Sequence, residues 1–212
     1  MEKSLFKKII LAFLGCVVLG AGIGMSTKVG IGVDALTSVY TGIVKHTGLS
    51  LGTVTALMNV LMCIIAYILY KKNVGIASVL FIFVSKWPVD LANKYMITTD
   101  NLFINILLYI LSVFVLALGS ELFIMSNLGA SSYDALTMGV GKRLHHEVKY
   151  VYVRYICDAT CLLIAFLIGG EIGLGTIICL ALIGIFMKTW QRILENVFHL
   201  SNDSVSTGTD KN

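Results

Sequence analysis

The sequence predicts an all-α polytopic membrane protein with six transmembrane helices, arranged as two inverted three-helix repeats. Composition is the first reason: 57% of the 212 residues are hydrophobic and only 13% are charged. Soluble domains carry about 25% charged residues, so this chain has too little polar surface to coat a water-soluble particle. The second reason is an internal repeat, and the third is that equivalent loops of the two copies differ in charge.

Six apolar stretches are each about long enough to cross the hydrocarbon core, which requires roughly 20 mostly apolar residues. They cover residues 8–25, 51–70, 74–90, 102–125, 151–168 and 172–190. None of them alternates between polar and apolar residues, so helices rather than strands are expected. The first stretch follows several lysines, as the apolar part of a signal peptide would. Because it has a counterpart in the second copy, we expect an uncleaved helix.

The internal repeat centres on the tetrapeptide Asp-Ala-Leu-Thr, which occupies residues 34–37 and again residues 134–137. Apolar and glycine-containing motifs flank it with similar spacing in both copies. The expected divisions of the chain are a first copy at about 5–98, a second copy at about 102–198, one membrane domain over 1–200 and a disordered polar tail over 201–212.

The two copies are expected to lie upside down relative to each other, because each contains an odd number of crossings. The loop after the second crossing is Lys-Lys-Asn at residues 71–73 in the first copy and Gly-Gly-Glu at 169–171 in the second. Cytoplasmic loops collect Lys and Arg, so this difference indicates opposite sides, with both termini in the cytoplasm. In an alternative arrangement the two tetrapeptide segments cross fully, which gives eight spans in parallel repeats and places Lys71 and Lys72 outside.

Each tetrapeptide segment is predicted to form a short broken or re-entrant half-helix, with Asp34 and Asp134 as the helix N-caps. Glycines before each aspartate supply the break, and discontinuous helices of this kind form binding sites in transporters. Two interpretations are open: caps on surface-lying helices, or two carboxylates that meet near mid-membrane and bind a cation or share a proton. Neutral hydrogen-bond partners would come from the nearby hydroxyl groups of Ser26, Thr37, Ser126, Ser131, Ser132 and Thr137.

Asn59 and Asp158 form a second pair of equivalent positions, each well inside a predicted crossing. A charge near the bilayer centre costs roughly 2.5–3.5 kcal/mol, so it usually faces the bundle interior or a cavity. Arg154 lies four residues before Asp158 on the same helical face. This group is therefore either a structural ion pair near the membrane surface or the lining of a substrate path. Glu121 lies alone in the fourth crossing, where it is a candidate binding residue or pairs with Arg or Lys across the bundle.

Three further features concern packing and surface contacts. Residues 15–24 are rich in glycine, which allows helices to pack closely. Pro88 is expected to break the third crossing between Lys86 and Asp90. The basic loop at residues 142–149 is expected to contact anionic lipid headgroups.

The sequence carries no catalytic signature: there is no Ser/His/Asp or Cys/His arrangement and no glycine-rich phosphate loop. We therefore expect neither enzyme activity nor a cofactor. His145, His146 and Glu147 are adjacent, so their side chains point apart and no metal site is expected there. The net charge of +4 is explained by orientation in the membrane, and no nucleic-acid partner is expected.

The segments at residues 30–37, 125–137 and 173–176 resemble the YitT/YczE-type family of small bacterial integral membrane proteins. The resemblance covers about residues 9–190. It implies a multi-pass protein of the bacterial plasma (inner) membrane, and it supplies no catalytic residues.

The leading functional hypothesis is a transporter or permease for a small polar or charged solute, with a site where the two copies meet. Its expected partners are membrane lipid and the solute, and a homodimer or a partner membrane subunit is left open. One alternative is the substrate-binding membrane subunit of a multi-component importer, which would dock its partner through residues 15–24. The other is an accessory membrane protein that positions partner enzymes through the basic loop at 142–149.

Overall fold

The fold is that of a computed structural model, which describes residues 2–69, 75–129, 131–143 and 150–198. Within these ranges every regular element is an α-helix. Three predicted features fall wholly or mostly outside the described residues, namely the loop 71–73, the loop 142–149 and the tail 201–212.

Nine helices follow one another along the described parts of the chain. They are α1 (Glu2–Val29), α2 (Ala35–Thr47), α3 (Leu51–Leu69), α4 (Ile76–Val84), α5 (Lys86–Tyr95), α6 (Leu102–Met125), α7 (Ser132–Arg143), α8 (Tyr150–Leu167) and α9 (Leu174–Phe198). The first tetrapeptide lies at the start of α2 and the second lies in the first turns of α7, so each follows a break in the helical chain, as predicted.

Four of the described helices are long and apolar enough to cross a membrane, and the pair α4 and α5 makes a fifth if it is counted as one bent span. The four are Leu5–Val29, Leu51–Leu69, Leu102–Met125 and Leu174–Asn196. The chain is therefore an all-helical, multi-pass membrane protein, which confirms the predicted fold class at this level. The remaining predicted crossing, 151–168, is helical and corresponds to α8.

The third predicted crossing is bent by 41° between α4 and α5. The break lies at Ser85, whereas the sequence pattern placed it between Lys86 and Asp90, so that prediction was wrong in position. The reason is that a proline disturbs the helix upstream of itself: its ring collides with the carbonyl four residues earlier, and it cannot donate a hydrogen bond there. Pro88 accordingly lies in the first turn of α5, where no such bond is needed.

Helices α1 and α6 pack against each other at glycines. A Cβ atom on Gly15 would lie 2.7 Å from the backbone nitrogen of Phe123, and one on Gly22 would lie 2.7 Å from the Cα of Leu116. A Cβ on Gly119 of α6 would collide with the backbone of Leu19. The predicted close packing of the glycine-rich segment is confirmed, because only hydrogen atoms fit between the two backbones.

The same segment of α1 also faces α5 within this chain. Gly20 lies against the ring of Pro88, and a Cβ on Gly24 would collide with the carbonyl of Val89. Residues 15–24 are thus covered on two sides by α5 and α6. The expectation that this segment docks an importer partner was wrong, because its glycine surfaces are already used inside the protein.

The helix contacts follow the internal repeat. Helix α1 packs on α6, which is its counterpart in the second copy. Helix α2 packs on α8, and α7 packs on α3. These two contacts are equivalent, because α7 is the counterpart of α2 and α3 is the counterpart of α8. The contacts of α1 with α5 and of α6 with α9 also correspond. These contacts recur in both copies, whereas the packing of α3 on α4 and α5 has no counterpart of similar extent between the described residues of α8 and α9.

The two breaks are held by hydrogen bonds between the copies. The backbone N–H of Gly175, at the start of α9, donates to the carbonyl of Ile31 at 2.8 Å. The N–H of Ala77, at the start of α4, donates to the carbonyl of Leu128 at 3.2 Å. Gly175 and Ala77 are equivalent positions of the repeat, so each copy satisfies the irregular backbone of the other.

Replacement of Gly119 by alanine is expected to lower the free energy of unfolding by about 1–3 kcal/mol, because overpacking forces the two backbones apart. The measurement is the unfolding transition of the purified protein in detergent. The matched control is Gly184→Ala in α9, where a Cβ would meet nothing within 4 Å. Equal stability of the two variants would contradict the close crossing of α1 and α6.

Candidate functional site

A cavity of about 170 Å³ receives side chains from both copies of the repeat. It is lined by seven of the twelve residues that the sequence analysis named as binding groups or their hydroxyl partners, namely Asp34, Thr37, Asn59, Ser131, Asp134, Arg154 and Asp158. Much of the remaining wall is apolar and includes Leu19, Ile23, Phe81, Leu116, Phe123 and Ile183. The cavity therefore combines a few charged groups with a hydrocarbon wall, which is the usual composition of a small-molecule site.

Asp34 occupies the N-cap of α2, as predicted. Its backbone is extended (φ −62°, ψ 161°) and its Oδ2 accepts a hydrogen bond from the backbone N–H of Thr37 at 3.1 Å. The other carboxylate oxygen, Oδ1, is buried and has no hydrogen-bond partner among the described residues. One carboxylate oxygen thus caps α2, and the other is left without a described partner at the cavity.

The break before Asp34 requires glycine. Gly32 has a φ of +107°, which side chains with a Cβ rarely adopt. A Cβ at this position would also lie 2.6 Å from the backbone nitrogen of Gly173. The contact between these two glycines brings the start of α9 against the break and fixes the direction in which α2 leaves it.

Asp134 begins the second half-helix differently from the prediction. Helix α7 starts at Ser132, and the hydroxyl of Ser131 accepts a hydrogen bond from the backbone N–H of Asp134 at 3.1 Å. The same hydroxyl donates to Asp134 Oδ2 at 2.7 Å. The prediction that Asp134 is the N-cap was wrong, because Ser131 lies three residues earlier and takes that position, with the acid in the first turn.

Arg154 joins the two carboxylates of the second copy. Its guanidinium forms an ion pair with Asp134, and its Nε lies 3.6 Å from Oδ2 of Asp158. It also lies over the ring of Tyr133, with 4.7 Å between Cζ and the ring centroid. The hydroxyl of Tyr133 donates to Asp158 Oδ1 at 2.6 Å. The ion pair predicted between Arg154 and Asp158 is therefore part of a larger cluster that lines the cavity.

The fixed charges of the cavity are unequal between the copies. The lining includes three carboxylates and one guanidinium, so it is negative overall when the carboxylates are ionised. Arg154 is engaged by Asp134 and Asp158. Asp34 forms no ion pair among the described residues. The equivalent of Asp158 in the first copy is the neutral Asn59, whose side-chain amide donates to the carbonyl of Thr55 at 2.7 Å.

Five predicted residues do not line the cavity, and one of them is Ser132, whose hydroxyl lies 3.3 Å from the sulfur of Cys63. Ser26, Ser126 and Thr137 each donate a hydrogen bond to the carbonyl three residues earlier in the chain. They are buried groups that satisfy local backbone rather than a shared site. Glu121 is buried in α6 and is 6% exposed. It forms no ion pair with any described side chain, so the expected partner across the bundle is not found in those parts of the chain.

Comparison with known proteins identifies the family. A family model described as "Family of unknown function (DUF6198)" matches residues 6–192. The chain belongs to this family. It is 22% identical to the uncharacterized membrane protein YczE of Bacillus subtilis over 189 residues, which are 89% of this chain and 87% of YczE. This similarity confirms the resemblance to YczE-type proteins.

Two other relatives match the DUF6198 chain over a similar length. The uncharacterized protein YyaS of Bacillus subtilis is 22% identical over 192 residues, which are 89% of this chain and 94% of YyaS. An uncharacterized protein of Haemophilus influenzae is 25% identical over 195 residues, or 92% and 88% of the two chains. No solved structure matches.

Sequence reasoning missed two tyrosines that line the cavity of this DUF6198 protein. Tyr133 holds Asp158, as described above. Tyr40 of α2 is 1% exposed, and its hydroxyl has no hydrogen-bond partner among the described residues. A comparison of the two copies does not single out either tyrosine, because Tyr133 corresponds to Val33 and Tyr40 corresponds to Val140. A search for buried polar groups that break the repeat could have found them.

The two roles of Asp34 can be separated by stability measurements. Asp34→Asn is expected to leave the free energy of unfolding nearly unchanged, because asparagine caps helices about as well as aspartate. Asp34→Ala removes the cap and is expected to cost about 0.5–2 kcal/mol. Thermal unfolding in detergent is the measurement. If Asp34→Asn is as unstable as Asp34→Ala, the charge itself has a structural partner and the cavity assignment of Oδ1 is wrong.

Proposed function

We propose that this protein is a transporter for a small polar or charged solute and that the solute binds in the cavity at the interface of the two copies. The observation that carries the proposal is that equivalent residues of both copies line one cavity: Asp34 with Asp134, and Asn59 with Asp158. In secondary transporters built from repeats, discontinuous helices form the binding site at the repeat interface near mid-membrane. The breaks before α2 and α7 fit this arrangement.

In the proposed arrangement six crossings form two inverted three-helix repeats within a single domain over residues 1–200. The crossings would be α1, α3, the bent pair α4 and α5, α6, α8 and α9. Helices α2 and α7 would be short re-entrant half-helices. Support comes from the helix contacts that recur in both copies, such as α2 with α8 and α3 with α7, and from the reciprocal hydrogen bonds at Ile31 and Leu128. An odd number of crossings in each copy then requires the second copy to be inverted.

The proposed location is the bacterial plasma membrane, with both termini in the cytoplasm. The relatives named above are bacterial, and the basic residues favour this orientation through the concentration of Lys and Arg in cytoplasmic loops. Large apolar side chains are exposed on several helices, such as Ile68, Phe83 and Phe166, and they would face the lipid.

A transporter explains the charged cavity better than the two alternatives do. Charges within the membrane carry a cost, and an accessory protein that presents only a loop to its partner has no need of them. An importer subunit remains compatible with the cavity. It would need a docking surface other than residues 15–24, which are covered by α5 and α6.

Transport is expected to depend on both aspartates. Wild-type protein in proteoliposomes should give transient currents on solid-supported membranes when the solute concentration is stepped, for at least one member of a panel of amines, amino acids, carboxylates and sugars. Asp34→Asn and Asp134→Asn should each reduce the current by about tenfold or more, since each removes a charge-assisted interaction. The matched control is Asp100→Asn, which removes an exposed carboxylate. Full currents in both cavity variants would overturn the site.

Inversion of the repeats is tested by cysteine labelling in a cysteine-free background. Lys72→Cys reports the side of the loop at 71–73. His46→Cys reports the side of the loop at 169–171, because the His46 ring lies 3.1 Å from the carbonyl of Ile168. We expect an impermeant maleimide to label residue 46 from outside in intact cells and residue 72 only after permeabilisation. Labelling of both residues from one side would rule out inverted copies.

A further inference from the structure

The cavity contains two buried polar groups that no described residue satisfies. These are Oδ1 of Asp34, the N-cap of α2, and the hydroxyl of Tyr40, which lies within α2, and both residues line the cavity. Buried polar groups in proteins are nearly always hydrogen-bonded, because an unsatisfied group loses its solvation without compensation. Two such groups at one cavity indicate that a ligand supplies their partners.

The charge of the ligand follows from the neighbours of Asp34. The carboxylates of the second copy are engaged with Arg154, whereas Asp34 forms no ion pair among the described residues. An anion would face a cavity with more carboxylates than guanidinium groups, whereas a cation would compensate the charge of an ionised Asp34. The N-terminus of α2 contributes only about half a positive charge, which is less than the full charge of the carboxylate. A cation is therefore favoured.

The kind of cation follows from the other lining groups. Hard metal ions require about six or more oxygen ligands, and the described residues contain no group of three His, Cys, Asp or Glu side chains placed to hold a metal ion. A protonated amine carries several N–H donors, and Asp34 Oδ1 and the Tyr40 oxygen both accept hydrogen bonds. The ammonium group thus matches both unsatisfied atoms.

The walls of the cavity set the rest of the ligand. Leu19, Ile23, Phe81, Leu116 and Phe123 present apolar surface to the space beside the polar groups. The volume of about 170 Å³ is close to that of an engineered apolar cavity of about 150 Å³ that binds benzene. We propose that the cavity binds a small protonated amine, with the ammonium between Asp34 and Tyr40 and an apolar body of about the size of a benzene ring against these walls.

This inference names the solute class of the transporter proposed above and so rests on that function for its physiological meaning. It also gives Arg154 a role. The guanidinium is the internal cation of the second copy, and the solute ammonium is its counterpart in the first. Each of the equivalent residues Asp134 and Asp34 would then pair with one cation: Asp134 with the guanidinium of Arg154, and Asp34 with the ammonium of the transported solute.

The test is binding to the purified full-length chain in detergent, measured by calorimetry at pH 7 with three probes of similar shape: benzylammonium, benzyl alcohol and benzoate. Benzylammonium is expected to bind about tenfold or more tightly than the other two, because only it can form charge-assisted hydrogen bonds with Asp34. Asp34→Asn should weaken its binding about tenfold or more. Tyr40→Phe should weaken it severalfold, and Asp100→Asn should leave it unchanged.

Each variant is first shown to unfold at the wild-type temperature, so that loss of binding is not loss of fold. Failure of benzylammonium to bind overturns the inference, as does benzylammonium binding that a folded Asp34→Asn variant retains in full. Binding without any current in proteoliposomes would support the amine site and contradict the transport function. Currents with benzoate or benzyl alcohol that depend on Asp34 and Asp134, without amine binding, would keep the transport function and reject the amine.

Discussion

Hydrocarbon offers no hydrogen bonds to the backbone, and this constraint determines how the breaks before α2 and α7 can exist. A broken helix within a membrane protein exposes N–H and C=O groups that only other protein atoms can satisfy. Here the partners are the starts of α9 and α4, through the bonds from Gly175 to Ile31 and from Ala77 to Leu128. The glycine contacts at Gly32 follow from the same requirement, because backbone can reach backbone only where no Cβ intervenes.

A symmetric framework carries an asymmetric set of charges. Several helix contacts of one copy recur in the other, yet Asp158 and Arg154 of α8 correspond to Asn59 and Thr55 of α3. The consequence is that one copy neutralises its own aspartate and the other does not. Duplication alone would produce two identical half-sites. The differences between the copies instead give one cavity, in which Arg154 pairs with the aspartates of the second copy and Asp34 of the first copy has no such partner among the described residues.

The parts of this protein that sequence could predict are those set by local rules. Apolar length predicted the helices, and the N-cap preference of aspartate predicted the role of Asp34. The same rule failed at Asp134, because Ser131 is an equally good cap and the sequence contains nothing to rank the two. Pairing between α7 and α8 was beyond reach, so the bond between Asp134 and Arg154 emerged only from the tertiary structure. Tyr40 was missed because its importance lies in burial without a partner.

The reciprocal bonds between the breaks have a consequence for biosynthesis. The carbonyl of Ile31 obtains its partner from Gly175, which is synthesised 144 residues later. Until then the first break has no such bond, and the first half cannot complete its own structure. The two halves consequently depend on each other, and a truncated product that ends before α9 would leave the carbonyl of Ile31 without this partner.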